Sequence, residues 1–130
     1  MKSVFLLGRI VFGGFFFYSG INHFKARKAM TQYAAAKGVP SPEAAVIATG
    51  AALTLGGLSV ILGLKPKLGV TSLLGFLGTV SPLMHDFWNH DEPQTRQNEM
   101  IHFSKNIALL GAALALAGVA EPWPASLKSE

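Results

Sequence analysis

Seven side chains of this sequence could do chemistry together: His23, His85, Asp86, Glu99, His102, Lys105 and Asn106. Imidazoles and carboxylates exchange protons, an ammonium group holds a negative charge, and a carboxamide both donates and accepts hydrogen bonds. Glu99, His102 and Asn106 are spaced by three and four residues, so on a helix they project from one side; Ser81, His85 and Asn89 do the same in the preceding segment. The expected contact is charge-assisted, Asp86 against Lys105, with His23, His85, Asn106 and Glu99 around it. The competing reading gives the same groups no ligand and makes them an interfacial salt bridge that pins two helices.

Four histidines raise haem or metal ligation, with His23, His85 and His102 as candidates, because imidazoles projecting from facing helices build such sites. No two of them stand four residues apart, so haem is less well served than other ligands and no metal site is expected. A quinone head needs only a polar donor pair and an apolar slot near the membrane surface. Phe12, Phe15, Phe16, Phe17 and Phe24, with Phe76 and Phe87, could wall that slot, although aromatics of this kind by default face lipid or fill a core. The residues alone name no cofactor outright. The absence of cysteine removes thiol nucleophiles, disulfides and thiolate-held iron–sulfur clusters, so any redox chemistry belongs to a bound group or a partner protein.

These groups must be positioned by a hydrophobic framework. Half of the 130 residues are hydrophobic and only 14% are charged, against roughly 25% in ordinary soluble proteins. The net charge of +4 is scattered over loops and helix ends, which excludes a nucleic-acid footprint and leaves the lipid bilayer as the expected partner. Ala44 to Leu64 carries no charge and, at about 1.5 Å per helical residue, covers a hydrocarbon core roughly 30 Å thick. Ser41, Pro42 and Glu43 mark its start as cap, first-turn proline and anion. After Lys65, Pro66 and Lys67, the run from Leu68 is uncharged to His85, and so short a connection permits only a hairpin.

Spans are therefore expected at about 4–24, 44–64, 68–88 and 101–120, in one domain covering 1–130. Arg9 in the first is expected to snorkel or to pair with a carbonyl at the membrane face opposite the polar cluster. A secretory signal peptide is the less favoured reading of the N-terminus, since no small-x-small cleavage site follows Tyr18. Residues 25–37 are too polar to span; Met30 and Tyr33 are three apart, Gly38 stops the segment, and a cationic helix on the membrane surface is expected. Asn89 to Met100 reads as a loop, and Trp123 as an interfacial anchor. The fold class is thus all-α, a membrane-spanning antiparallel four-helix bundle with a short interfacial helix between the first two spans. Lys2, Lys65, Lys67 and Lys128 balance Lys25, Arg27, Lys28, Lys37 and Arg96 across the membrane, and the termini are expected inside on a nearly even distribution. Small residues let helices approach in lipid: Gly13 and Gly20, then Ala48, Ala52 and Gly56, then Gly75 and Gly78, then Gly111, Ala115 and Gly118, with a homo-oligomer as a second use for them.

The order of several short motifs resembles the DoxX family of small membrane proteins. They are Arg9 with Ser19-Gly20-Ile21-Asn22-His23; Met30, Tyr33 and Gly38-Val39-Pro40-Ser41-Pro42; Gly56-Gly57 with Leu62-Gly63; His85-Asp86-Phe87-Trp88; and Phe103 to Leu109 with Gly111. The resemblance implies four membrane helices, usually in a bacterial inner membrane. It also implies kinship with small subunits of thiosulfate:quinone oxidoreductase and other membrane redox assemblies, and more distantly with cargo-receptor-like proteins of eukaryotes. No catalytic residues carry over from it. The expected role is an accessory or quinone-interacting subunit beside an oxidoreductase partner; the alternatives are a structural or partner-binding protein and a small transporter, which would need polar residues along a continuous path.

Overall fold

A computed structural model describes residues 1–127, which form helices and turns with no strand among them. The elements are α1 (Lys2–Lys25), α2 (Arg27–Ala36), α3 (Pro42–Leu62), α4 (Pro66–Met84), a single 3-10 turn (Phe87–Asn89) and α5 (Pro93–Ala117). Helices α1, α3, α4 and α5 are long and apolar enough to cross a membrane, and α2 is not among them.

Proline occupies the first turn of α3, α4 and α5, where its missing N–H has no intrahelical partner to lose. Ser41 does not act as the expected hydroxyl cap; its backbone is left-handed at φ 46° and its side chain makes no capping bond. Gly38, at φ 77°, closes α2 as expected: its N–H reaches Ala35 O at 3.0 Å and the Val39 N–H reaches Ala34 O at 3.0 Å. The segment expected as a loop from Asn89 to Met100 is helical from Pro93 onward. Its start was written in Glu92, Pro93 and Thr95, where the Glu92 carboxylate accepts the Thr95 N–H at 3.1 Å.

Small residues bring α1 onto α3 backbone to backbone. A Cβ on Gly20 would lie 2.2 Å from Thr54 Oγ1 and 2.5 Å from Thr54 N, and one on Gly57 would lie 2.5 Å from Gly13 O. Gly13 meets Gly57 while Gly20 meets Gly50, so the two helices run in opposite directions. Gly56 and Gly69 let α3 and α4 approach in the same way. Gly75, Gly78 and Gly111 do not take the packing role expected of them, because no atom of a neighbouring helix lies within 4 Å of where their Cβ would be. The core of Phe16, Leu53, Val60, Val70, Leu73 and Leu77 fills the space between the helices. Helix α5 packs on α4, whereas α1 and α5 share no extended close seam among the described residues. They meet through a long side chain, with Lys105 Nζ 5.6 Å from the Phe15 ring centroid.

Candidate functional site at the open end of the bundle

The two ends of the bundle are built differently. Where α1 starts and α3 ends, Arg9 is fully buried. Its Nε donates to Val60 O at 3.0 Å, one terminal nitrogen donates to Ile61 O at 2.8 Å, and the other donates to Pro124 O. The guanidinium carbon lies 5.7 Å from the Phe5 ring centroid and 5.5 Å from that of Trp123. Of the two fates expected for Arg9, the structure shows carbonyl pairing and not snorkelling. Trp123 is correspondingly not an interfacial anchor: it is 3% exposed, packs edge-on against Phe5 and donates Nε1–H to Val119 O at 3.3 Å. Gly63, at φ 70°, makes room for this end, since a Cβ there would fall 2.8 Å from an Arg9 nitrogen and closer still to Ser126.

At the other end a cavity of about 370 Å³ opens inside the bundle, lined from every helix. Helix α1 supplies Phe15, Phe16, Ser19 and His23, α2 supplies Met30 and Tyr33, and α3 supplies Val46 and Thr49. Phe76, Leu77 and Met84 line it from α4, with His85 just beyond, and Lys105 and Asn106 come from α5. Most of the wall is apolar or aromatic, and the polar groups are few. His23 donates Nδ1–H to Ser19 O at 2.7 Å, a bond to its own helix that fixes the ring and leaves Nε2 free. Asn106 is only 6% exposed and makes no side-chain hydrogen bond among the described residues. Lys105, exposed, has no ion pair among the described residues.

Around the rim the remaining groups pair with each other. Lys37 Nζ lies 2.8 Å from Asp86 Oδ1, so the expected contact of Asp86 with Lys105 is not formed. The Asp86 carboxylate also meets His90 Nε2 at 3.2 Å and accepts from Asn89 Nδ2 at 3.0 Å. The substitution of partner has a simple cause. Lys37 follows α2, which lies across the end of the bundle and delivers the ammonium to the turn after α4, whereas Lys105 sits more than three turns inside α5 beside Phe15. Partial burial works against the charge on Lys37, but the Asp86 hydrogen bond and the surrounding negative charge outweigh it and hold its pKa above the ordinary lysine value.

His85 Nδ1 lies 2.8 Å from Glu99 Oε2, and the His85 and His102 rings stack at 5.1 Å with 25° between their planes. That stack leaves no gap between these two rings for a haem plane. Tyr33 donates its hydroxyl to Glu99 Oε1 and Met84 O, each at 3.3 Å. Burial raises the pKa of this hydroxyl, and the charge of Glu99 raises it further. Of the seven residues singled out in the sequence, His23, His85, Lys105 and Asn106 line the cavity. Glu99 and His102 contact His85, and Asp86 stands in the rim ion pair. Phe15, Phe16 and Phe76 face the cavity, while Phe87 packs with Trp88 and Phe103 outside it. Sequence reasoning missed Tyr33 and Lys37 as site residues. The signal was present, since Met30, Tyr33 and Lys37 are three and four apart and share one helical face.

A helical membrane bundle closed by a buried arginine at one end and hollow at the other is the class that these features define. The profile of the DoxX family, described as DoxX, matches residues 4–86, more than half of the chain. The chain belongs to the DoxX family and is an integral membrane protein. The matched range runs from Val4 in α1 through α4 and ends at Asp86; Lys105 and Asn106 lie beyond it. No curated protein and no solved structure matches the chain.

Proposed function

We propose that the cavity binds the head group of a membrane quinone and that the protein serves as an accessory, quinone-interacting subunit of a redox assembly in a bacterial inner membrane. One observation carries this reading: Asn106, nine-tenths buried and without a protein partner, lines an otherwise mainly apolar and aromatic cavity of about 370 Å³. Its amide opens on the cavity and carries no protein hydrogen bond among the described residues, so its N–H is available to a ligand oxygen. Lys105 and His23 add a cation and a second polar nitrogen, while Phe15, Phe16 and Phe76 suit a flat ring. When bound, a quinone would supply the redox chemistry that the cysteine-free chain lacks. The protein's own part is to hold the ring, to exclude water and to place donors at its oxygens.

Electrons would come from or go to an oxidoreductase partner. Helix α5 is the surface proposed for that contact, because only 11% of its apolar window is buried within the bundle, against 33% for α3. The test is extraction of quinone from protein purified with its lipids, followed by titration with a soluble naphthoquinone. Co-purified quinone and saturable binding lost in Asn106→Leu support the reading; absence of both removes it. The structural alternative accounts for the rim pairs, Lys37 with Asp86 and His85 with Glu99, but offers no partner for Asn106. The transporter reading has no support at the Arg9 end, where the guanidinium is sealed by three carbonyls.

A further inference from the structure

One titratable side chain of the cavity has partners that lead outward. His85 lines the cavity, and its Nδ1 is 2.8 Å from Glu99 Oε2. The other Glu99 oxygen accepts from the exposed Tyr33 hydroxyl at 3.3 Å, and the His85 ring stacks on the exposed His102. A carboxylate at Nδ1 holds the proton on that nitrogen, so Nε2 carries the lone pair and serves as a proton acceptor. Along the same side of α5, Asn106 follows Glu99 by seven residues, about 10 Å deeper, with Lys105 beside it. The site therefore offers a base near its rim, and a cation with an unpartnered amide further in.

We propose that the cavity takes the reduced, hydroxyl-bearing form of the quinone-type head group, and that His85 Nε2 accepts the proton of its phenolic O–H. The proposal rests on the cavity being the quinone-type site argued above. In this step the O–H bond breaks, an N–H bond forms on His85, and the electron pair of the broken bond stays on the phenolate oxygen. No electron leaves the ring. Glu99 holds the imidazolium, which faces the phenolate, Lys105 and the Asn106 amide bind the second, deeper oxygen of the ring, and the proton passes outward by way of the Glu99 carboxylate. Glu99 is thus a positioning residue, acting through His85. The titratable and charged groups around His85 are Glu99, His102 and Lys105 from α5, Tyr33 from α2, and Lys37 just after it. Asp86 and His90 from the turn and His23 from α1 complete the set.

The experiment uses the full-length protein in detergent with two probes: an alkyl-substituted nitrophenol, whose phenolate absorbs in the visible, and a naphthoquinone with no hydroxyl group. Protein-free micelles give the baseline. The bound nitrophenol should ionise at a lower pH than in micelles. His85→Gln should move that midpoint up by about one pH unit or more, as expected for loss of a paired opposite charge, while naphthoquinone still binds. Glu99→Gln should move it partway and Glu99→Asp should restore it. If His85→Gln does not fold, the Glu99 pair carries the same readout. A midpoint unchanged in His85→Gln, or moved only in Lys105→Met, with naphthoquinone still bound, overturns the proton-accepting role and leaves the cavity reading intact. If neither probe binds saturably, both fall.

Discussion

The two ends of the bundle spend their polar groups in opposite ways. At the Arg9 end a full positive charge is buried, yet three backbone carbonyls and two aromatic rings enclose it. At the cavity end the charges are mostly paired at the rim, while the buried Asn106 is left without a partner beside an open volume. A saturated polar group locks a fold, whereas an unsaturated one facing a cavity is available to a ligand. The same chain therefore separates the end that maintains the bundle from the end that can exchange contacts.

Breaking the closed end should give the largest effect. Arg9→Met removes charge-assisted hydrogen bonds worth about 1.5–3 kcal/mol each and leaves carbonyls of α3 and the C-terminal segment bare. We expect at least about 3 kcal/mol of destabilisation, seen as a collapse of folded yield or of the thermal midpoint in detergent. Next in size is the α1–α3 seam. Gly20→Ala would force the helices apart at Thr54 and should cost about 1–3 kcal/mol, whereas Gly75→Ala, with open space around it, should leave the thermal midpoint nearly unchanged. Equal effects of these two substitutions would contradict the assignment of the seam.

Much of the fold was legible because uncharged runs between prolines and glycines can only be membrane helices. What a helix faces is harder to read. Gly20 and Gly75 look alike in sequence, and only tertiary contact distinguishes a packed glycine from one facing outward. Arg9 showed the same ambiguity, since the carbonyls that receive it lie 51 to 115 positions away in sequence. At the site, helical spacing on α5 grouped Glu99, His102 and Asn106, but Lys37 was assigned to a surface helix and not to Asp86. No local periodicity reports where α2 lies across the bundle. The polar start of α5 lies outside the apolar run, and only the capping pattern of Glu92, Pro93 and Thr95 marks it.

The open end should respond in the opposite sense. Asn106→Leu replaces an amide that has no protein partner by a side chain of similar volume, so stability should be nearly unchanged while quinone binding is lost. Thermal midpoint and ligand titration on the same preparation separate the two quantities. A fall in stability as large as that of Arg9→Met would mean that Asn106 belongs to the framework, and the contrast between the ends would disappear.

The smallest effect belongs to the rim. Lys37 and Asp86 are each mostly covered, at 15% and 21% side-chain exposure, and the pair is worth about 0.5–1 kcal/mol. Because the folded state raises the Lys37 pKa above its ordinary 10.5, the charged lysine is the form that folding favours. Its contribution is then complete below the unfolded value and lost as the pH rises through the raised one. Fluorescence of Trp88, which stands two residues after Asp86, should therefore report an alkaline transition above about pH 10.5. Lys37→Met should abolish that alkaline transition and lower the thermal midpoint slightly, by far less than Gly20→Ala. A transition already complete near pH 8 would show that another group governs the rim, and that α2 is held there by the Tyr33 hydrogen bonds rather than by the ion pair.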